Sequence, residues 1–128
     1  MATYTRQEII ALIENLDGIN SDVVNFSLPH GSITVVGSEY ERVKAAYLPD
    51  KHGNPGGWFI DKSTAHDERE MVIHYSNGEV ENIPLNETLS RRAAIEIVIY
   101  AVEHGNLPDY LTWSEHRIFV PVSDTGSP

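Results

Sequence analysis

The chain has 128 residues, which is enough for one hydrophobic core and too few for two. Hydrophobic residues make up 41% of it, which argues against wholesale disorder. The 19 acidic and nine basic side chains give a formal charge of −10, which argues against direct binding of nucleic acid, and the lack of cysteine excludes disulfides and thiol nucleophiles. We expect one domain over residues 1–122 and a flexible tail over residues 123–128.

The first predicted element is a helix close to the start of the chain. Thr5 and Glu8 have the spacing of a capping box, in which each side chain satisfies a backbone amide of the first helical turn. The apolar residues that follow are spaced as one face of a helix: Ile9, Leu12, Ile13 and Leu16. Gly18 is expected to end this helix.

The middle of the chain has the alternating pattern of β-strands. Single strands are predicted at four places: residues 24–28, 33–36, 40–48 and 58–60. The third of these also suits a helix, because Ala, Lys, Arg and Glu are good helix formers. Ser76-Asn77-Gly78 separates two further alternating runs, and Asn-Gly in this position is a strong signal for a β-hairpin. We expect an antiparallel sheet of about five strands.

A second, longer helix is predicted to begin after Ser90 or Asn86 and to run to His104. Its apolar face is broad enough to lie across a sheet, and Gly105 supplies a left-handed cap at its end. Residues 118–122 are expected to add an edge strand, where the proline is tolerated. A sheet between two helices places the chain in the α+β class.

No pattern of an enzyme or a metal site stands out. No histidine lies three to five residues from another, as metal ligands often do. The best local group of ligand types is expected to be a solvated acidic loop: His66, Asp67, Glu68 and Glu70. His30 and Ser32 lack a nucleophile elbow, and the glycines near Trp58 lack the lysine of a phosphate-binding loop. We therefore expect no catalytic residue, no metal site and no cofactor.

The end of the chain resembles a known protein family. From Ala93 to Trp113 an apolar helix leads into a Gly- and Pro-containing turn and a tryptophan, which is expected to pack in the core. This layout resembles the ending of the first numbered immunity-protein family of bacterial polymorphic-toxin systems, often described as deaminase inhibitors. Gly57-Trp58 and Pro84, before the last helix, also look similar. The general plan of that family covers most of the chain.

The resemblance implies a stoichiometric inhibitor that binds a secreted toxin domain and blocks its active site or substrate groove. Toxins paired with this family include nucleic-acid deaminases and nucleases, and proteins that grip phosphates tend to have basic faces. An inhibitor with a charge of −10 complements such a face. The resemblance carries no binding residue onto this sequence.

Charge clustering predicts where such an inhibitor meets its toxin. We expect the contacts at an acidic loop and hairpin with one aromatic anchor: Trp58, Asp67, Glu68, Glu70, Glu79 and Glu81. Glu79 and Glu81 are two positions apart and are expected to project together from the face of their strand that points away from the core.

Two alternatives to the inhibitor stay open. The chain also suits a small α+β enzyme or ligand-binding domain whose pocket is assembled from distant residues, or an interaction module of a larger complex.

No apolar run is long enough to span a bilayer, and the first residues lack the apolar core of a signal peptide. We expect a cytoplasmic protein that binds neither membrane nor nucleic acid.

Overall fold

The computed structural model describes residues 4–50, 56–61, 67–114 and 116–120. Within these ranges the chain has a mixed α+β fold, as predicted, with two α-helices, a seven-stranded sheet and a separate two-stranded sheet. The described residues therefore contain more strands than the five or so expected. The predicted tail at 123–128, and His52 and His66, lie outside the described residues.

The helices and strands have the following bounds. The helices are α1 (Arg6–Glu14) and α2 (Arg91–His104). The strands are β1 (Val23–Leu28), β2 (Gly31–Val36), β3 (Arg42–Pro49), β4 (Gly57–Asp61), β5 (Glu70–His74), β6 (Val80–Pro84), β7 (Leu89–Ser90), β8 (Thr112–Ser114) and β9 (Arg117–Val120). A 3₁₀ turn, Leu85–Glu87, precedes β7. Neither described helix has the length and apolar character that crossing a bilayer requires.

The large sheet has the strand order β1-β2-β3-β4-β9-β8, with β7 paired to β3 beside β4. All neighbours are antiparallel except β4 and β9, which are parallel. The expected edge strand, β9, is thus an internal strand, and β8 is the edge. The reason is the tight turn before β9, where His116 has a left-handed φ of 73° and its carbonyl accepts a hydrogen bond from the Trp58 amide at 3.0 Å.

Both helices pack into one hydrophobic core with one face of the large sheet. Directly paired residues of neighbouring strands lie side by side on the same face. One such row crosses four strands and is buried throughout: Val35, Ala45, Phe59 and Ile118. The helices contribute buried residues to the same core: Ile9, Ile13, Ala94, Ile97, Val98 and Ala101. The large sheet therefore has a helix-covered face and an opposite face.

The helix caps that depend on neighbouring residues form as predicted. The Thr5 hydroxyl accepts a hydrogen bond from the Glu8 amide at 3.1 Å, and the Glu8 carboxylate accepts one from the Thr5 amide at 2.9 Å. Ser90, not Asn86, caps the start of α2 by accepting a hydrogen bond from the Ala93 amide at 3.1 Å. Gly105 ends α2 with a left-handed φ of 80°.

Three local predictions near the helices are wrong. α1 ends at an Asn15 cap, so Gly18 lies beyond the helix, where it packs closely against His74 of the hairpin. Leu12 is partly exposed, although the other predicted residues of the apolar face are buried. Trp113 is 38% exposed, because it lies in the edge strand β8, where its ring meets that of Tyr47 at a centroid distance of 6.4 Å.

The predicted hairpin forms a sheet of its own, β5–β6, with a small separate core of Met71, Ile73 and Ile83. Its second strand faces the opposite way from the prediction. Val80 is 57% exposed, and Glu81 pairs with the buried Ile73 on the inner face of the hairpin. The Glu81 side chain nevertheless stays exposed, and its carboxylate accepts a hydrogen bond from the Tyr75 hydroxyl at 2.6 Å.

Candidate functional site

The six predicted toxin-contact residues do not form one surface. Asp67, Glu68 and Glu70 lie at the end of the hairpin away from its turn, where Glu70 pairs with Pro84. Glu79 and Glu81 lie at the turn end. Five residues of strand separate the two ends, which corresponds to about 13 Å along the strand.

The Asp67 end of the hairpin carries its own counter-charge. The Arg69 guanidinium donates hydrogen bonds to both Asp67 carboxylate oxygens, at 2.9 and 2.6 Å, and the Arg69 amide donates a third at 3.1 Å. These bonds lower the pKa of Asp67 from 3.8 to about 2, the guanidinium contributing first. The Asp67 carbonyl also accepts a hydrogen bond from the Asn86 amide. The side-chain and main-chain hydrogen bonds of Asp67 therefore fix the chain ahead of β5.

We expect Arg69→Gln to raise the pKa of Asp67 toward 3.8, because the largest cause of its lowering is removed. Since folding lowers this pKa, the pair contributes stability above about pH 4 and loses it as the pH falls through about 2. A carboxyl-carbon NMR titration of both proteins measures the change. An unchanged Asp67 titration in the variant would contradict the assignment of the cause to Arg69.

Trp58 lies on a different surface, the face of the large sheet opposite the helices. It pairs with Ala46 and Arg117, and the Lys44 ammonium is 5.7 Å from the centre of its ring. Its indole nitrogen is buried and has no hydrogen-bond partner among the described residues. A small groove of about 280 Å³ beside it includes Leu48. With Lys44 over the ring, this surface is poorly suited to anchor a basic partner.

The turn end of the hairpin borders an open cleft of about 600 Å³. The segment after α1 forms one wall, the segment after β2 another and the hairpin the third. We call it the acidic cleft and define it by six of its lining residues: Asp17, Ile19, Glu39, His74, Tyr75 and Glu79. Only Glu79 among these was predicted from the sequence.

Two carboxylates of the acidic cleft are held in their charged form. One oxygen of Asp17 accepts hydrogen bonds from the amides of Ile19, Asn20 and Ser21 at 2.8, 2.9 and 3.2 Å, and these bonds lower its pKa. The Ser38 hydroxyl donates to Glu39 at 2.6 Å and lowers the pKa of that carboxyl. Both groups therefore remain anionic well below neutral pH.

Tyr75 is surrounded by further carboxylates. Burial raises the pKa of its hydroxyl, and the hydrogen bond to Glu81 and the negative charges of Asp22 and Glu79 raise it further. The phenol is thus neutral at physiological pH and acts as a hydrogen-bond donor. Negative charge is concentrated around this ring.

A buried arginine holds two walls of the acidic cleft in place. Arg91 lies at the start of α2, and its guanidinium donates to four main-chain carbonyls: Ile13 at 2.6 Å, Leu16 at 2.8 Å, Tyr40 at 2.7 Å, and Ser38. One of these carbonyls, Ile13, lies in the last turn of α1, Leu16 directly precedes Asp17, and the other two flank Glu39. Arg91 therefore fixes the main chain that carries both carboxylates.

Further contacts join the hairpin to the other walls. The Ser38 hydroxyl accepts a hydrogen bond from the His74 amide at 3.3 Å, and Asp22 accepts one from the Ser76 amide at 2.6 Å. Gly18, with a φ of 77°, lies so close to the hairpin that a Cβ atom there would be 2.6 Å from the His74 carbonyl oxygen. The acidic cleft is thus a pre-formed feature of the main chain.

Comparison with family models, with curated proteins and with solved structures finds no match to this chain. The acidic cleft must therefore be interpreted from its own geometry.

The chemistry of the acidic cleft favours binding of a positively charged group. Within the described ranges, no three His, Asp or Glu side chains are placed so that they could hold a metal ion. None of the described residues lining the cleft is a lysine or an arginine. Fixed carboxylates beside apolar surface, with His74 as the one basic side chain in the described lining, form a surface that attracts an external cation.

Only one part of this cleft can be recognised from the sequence. Asp17-Gly18 with Ser21 has the composition of an Asx turn, and such turns are recognisable locally. The proximity of this turn to Glu39 and Tyr75 depends on long-range contacts that no local pattern encodes.

Proposed function

We propose that this chain is an immunity protein that binds and occludes a bacterial toxin domain through the acidic cleft. The observation that carries the proposal is the pre-formed main chain of the cleft, which presents Asp17, Glu39 and Glu79 without a neighbouring lysine or arginine among its described lining residues. Toxins that act on nucleic acid need basic faces to hold phosphates. A surface of fixed negative charge raises the rate and specificity of association with such a face.

Two further features support this proposal. The formal charge of −10 extends the attraction beyond the cleft itself. The C-terminal helix, turn and tryptophan resemble the ending of an immunity-protein family, in which inhibition works by binding and not by catalysis. On this proposal the protein acts in the cytoplasm, needs no cofactor and does not itself touch nucleic acid.

Co-expression with the toxin encoded by the neighbouring gene tests the proposal. The wild-type chain is expected to restore growth, and the purified proteins are expected to form a complex whose affinity falls as salt is raised. Full toxicity in the presence of abundant soluble protein would rule the proposal out.

A matched pair of double variants locates the contact. Glu39→Gln with Glu79→Gln removes two charges from the acidic cleft and is expected to weaken toxin binding roughly tenfold, mainly through slower association. Glu68→Gln with Glu70→Gln removes the same charge from the other end of the hairpin and is expected to leave binding within about twofold of wild type. A larger loss of affinity in the Glu68, Glu70 variant than in the Glu39, Glu79 variant would place the contact on the acidic loop predicted from sequence. Isothermal titration calorimetry measures both affinities.

A further inference from the structure

We infer that the surface of the large sheet around Trp58 binds an acidic peptide segment of a partner protein, separately from the acidic cleft. An apolar side chain of that segment lies beside Trp58, and a neighbouring carboxylate lies between Lys44 and Arg117. We call this surface the Trp58 face and define it by five residues: Lys44, Ala46, Leu48, Trp58 and Arg117. The inference goes beyond the proposed function and does not depend on it.

The strand register brings these five residues together. Ala46 and Arg117 are the partners of Trp58 on the two neighbouring strands, and Lys44 and Leu48 lie two positions to either side of Ala46 on β3. Residues paired across strands, or two apart along one strand, share a face of the sheet. β3 and β9 flank β4 and are therefore about 10 Å apart, and the Lys44 ammonium lies 5.7 Å from the centre of the indole ring. The two long basic side chains can thus reach one anionic group beside the ring.

The charges of the Trp58 face favour an anionic partner. Elsewhere in the described chain, lysine and arginine side chains pair with a carboxylate or, for Arg91, with main-chain carbonyls. Among the described residues Lys44 and Arg117 have no carboxylate partner, although the chain has 19 acidic side chains. In a chain with a formal charge of −10, two unpaired cations on one face form a local site for an external anion.

Apolar surface lies directly beside these two cations. The groove of about 280 Å³ next to Trp58 is lined by Ala46 and Leu48, and none of its described lining residues is an aspartate or a glutamate. Leu48 is 56% exposed. Pockets for drug-sized ligands usually have about 300–1,000 Å³, so this groove suits a single side chain of a peptide better than a whole small molecule.

The indole N–H of Trp58 is an independent sign that an acceptor is missing. The nitrogen is buried and has no hydrogen-bond partner among the described residues. Most buried donors have a partner, and a peptide offers acceptors in its main-chain carbonyls and its carboxylate. Because the nitrogen is covered in the free protein, a side chain next to the ring has to move when the acceptor binds.

The overall charge of the chain favours an acidic peptide over nucleic acid. Nucleic acid carries a phosphate at every nucleotide, and a chain with a formal charge of −10 repels such a polyanion. A short peptide with one carboxylate between apolar side chains matches two cations beside one small groove. A second copy of this chain also carries carboxylates, so the oligomeric state belongs to the test.

Titration of the full chain with acetyl-Leu-Asp-Leu-amide, followed by ¹⁵N NMR, tests the inference directly. We expect saturable shifts of the Trp58 indole N–H, assigned with Trp58→Phe, and of the amides of Leu48 and Arg117. One matched peptide has asparagine in place of aspartate, and another has glycine in place of both leucines. Each is expected to bind roughly fivefold more weakly, because it lacks the charge or the apolar side chains. Equal binding of the three peptides, or no shift at Trp58, would overturn the inference.

The other two occupants are tested with the same protein. Tighter binding of tetrathymidylate than of the acidic peptide would assign the Trp58 face to nucleic acid. A dimer in analytical ultracentrifugation that dissociates on Lys44→Gln with Arg117→Gln would assign the face to a second copy. Either result would contradict the inference, and a monomer that prefers the acidic peptide would support it.

A matched pair of double variants separates the Trp58 face from simple charge attraction. Lys44→Gln with Arg117→Gln is expected to weaken binding of the acidic peptide by roughly fivefold or more. Arg6→Gln with Arg92→Gln removes the same charge from exposed helix positions and is expected to leave the affinity within about twofold of wild type. Equal losses would mean that net charge alone attracts the peptide. The comparison of the three peptides uses the wild-type chain, so it decides the inference even where a variant folds poorly.

The peptide and toxin experiments fail in different ways. Because the toxin is proposed to bind at the acidic cleft, Lys44→Gln with Arg117→Gln is expected to leave protection from the toxin unchanged. Loss of protection in this variant would make the Trp58 face part of the toxin contact and refute its separate role. Specific binding of the acidic peptide by a wild-type chain that gives no protection would refute the immunity function and support the inference.

Discussion

Arg91→Met is expected to lower the free energy of unfolding by about 3–5 kcal/mol, a large part of the stability of a domain of this size. The Arg91 side chain is buried, with 7% of its surface exposed. It donates to the carbonyls of Ile13, Leu16, Ser38 and Tyr40. Methionine fills similar space without a donor, so four main-chain carbonyls lose the guanidinium, although that of Ile13 keeps the Leu16 amide at 3.3 Å. Each buried carbonyl left unsatisfied costs about 1–3 kcal/mol before relaxation.

The neighbouring arginine provides a matched control. The Arg92 side chain is 72% exposed and contacts Glu96 at 3.4 Å across one turn of α2. Arg92→Met removes the same charge and is expected to change stability by less than about 0.5 kcal/mol. Urea unfolding followed by circular dichroism measures both variants. Similar losses in the two proteins would show that charge or helix propensity matters, and not the buried hydrogen bonds.

Arg91→Lys extends the test to the geometry of the donor group. Lysine keeps the positive charge but offers three donors at one point, whereas the guanidinium spreads five donors over a planar fork. We therefore expect this variant to lie between the wild type and Arg91→Met in stability. Full stability in Arg91→Lys would show that the charge alone is needed.

Gly18→Ala is expected to destabilise the protein by about 2–4 kcal/mol, for two separate reasons. The left-handed φ of 77° costs a residue with a Cβ atom about 1–2 kcal/mol. The new Cβ would also lie 2.6 Å from the His74 carbonyl oxygen, so the hairpin must move away from the segment after α1. This movement would widen the acidic cleft as well as weaken the fold.

Gly105→Ala separates the two reasons. Gly105 has a similar φ of 80°, but the nearest atom to its added Cβ is Pro29 Cγ at 3.5 Å, an ordinary contact. We expect Gly105→Ala to cost only the conformational term, about 1–2 kcal/mol. Thermal unfolding of both variants measures the difference, and amide shifts of His74 and Tyr75 should change only in Gly18→Ala. Equal losses would mean that the close approach to His74 contributes nothing.

Much of the fold could be predicted from the sequence because it depends on near neighbours. The capping box at Thr5, the Ser90 and Gly105 caps of α2 and the Asn77-Gly78 hairpin each involve residues only a few positions apart. Their preferences are local and act in the same direction as the final structure. The α+β class followed from the order of these elements.

The remaining features could not be predicted because they depend on distant residues. Arg91 and Arg92 are adjacent in the first turn of α2, and two adjacent arginines there are typical of an exposed turn. No local pattern indicates that Arg91 is buried. Glu81 is exposed, as predicted, but it shares its strand face with the buried Ile83, while Val80 on the other face is also exposed, and this depends on how the hairpin packs. The acidic cleft could not be predicted from local patterns alone, since its walls come from three separate segments.

The parallel pairing of β4 with β9 has a consequence for synthesis on the ribosome. Phe59 and Ile60 of β4 lie in the middle of the sheet, yet their neighbours Ile118 and Phe119 are among the last described residues to be made. Until then β4 has an unpaired hydrophobic edge, a known template for association between chains. Completion of the sheet therefore has to wait until β9 has emerged, and slow translation of the residues just before β9 would prolong the period in which nascent chains can aggregate.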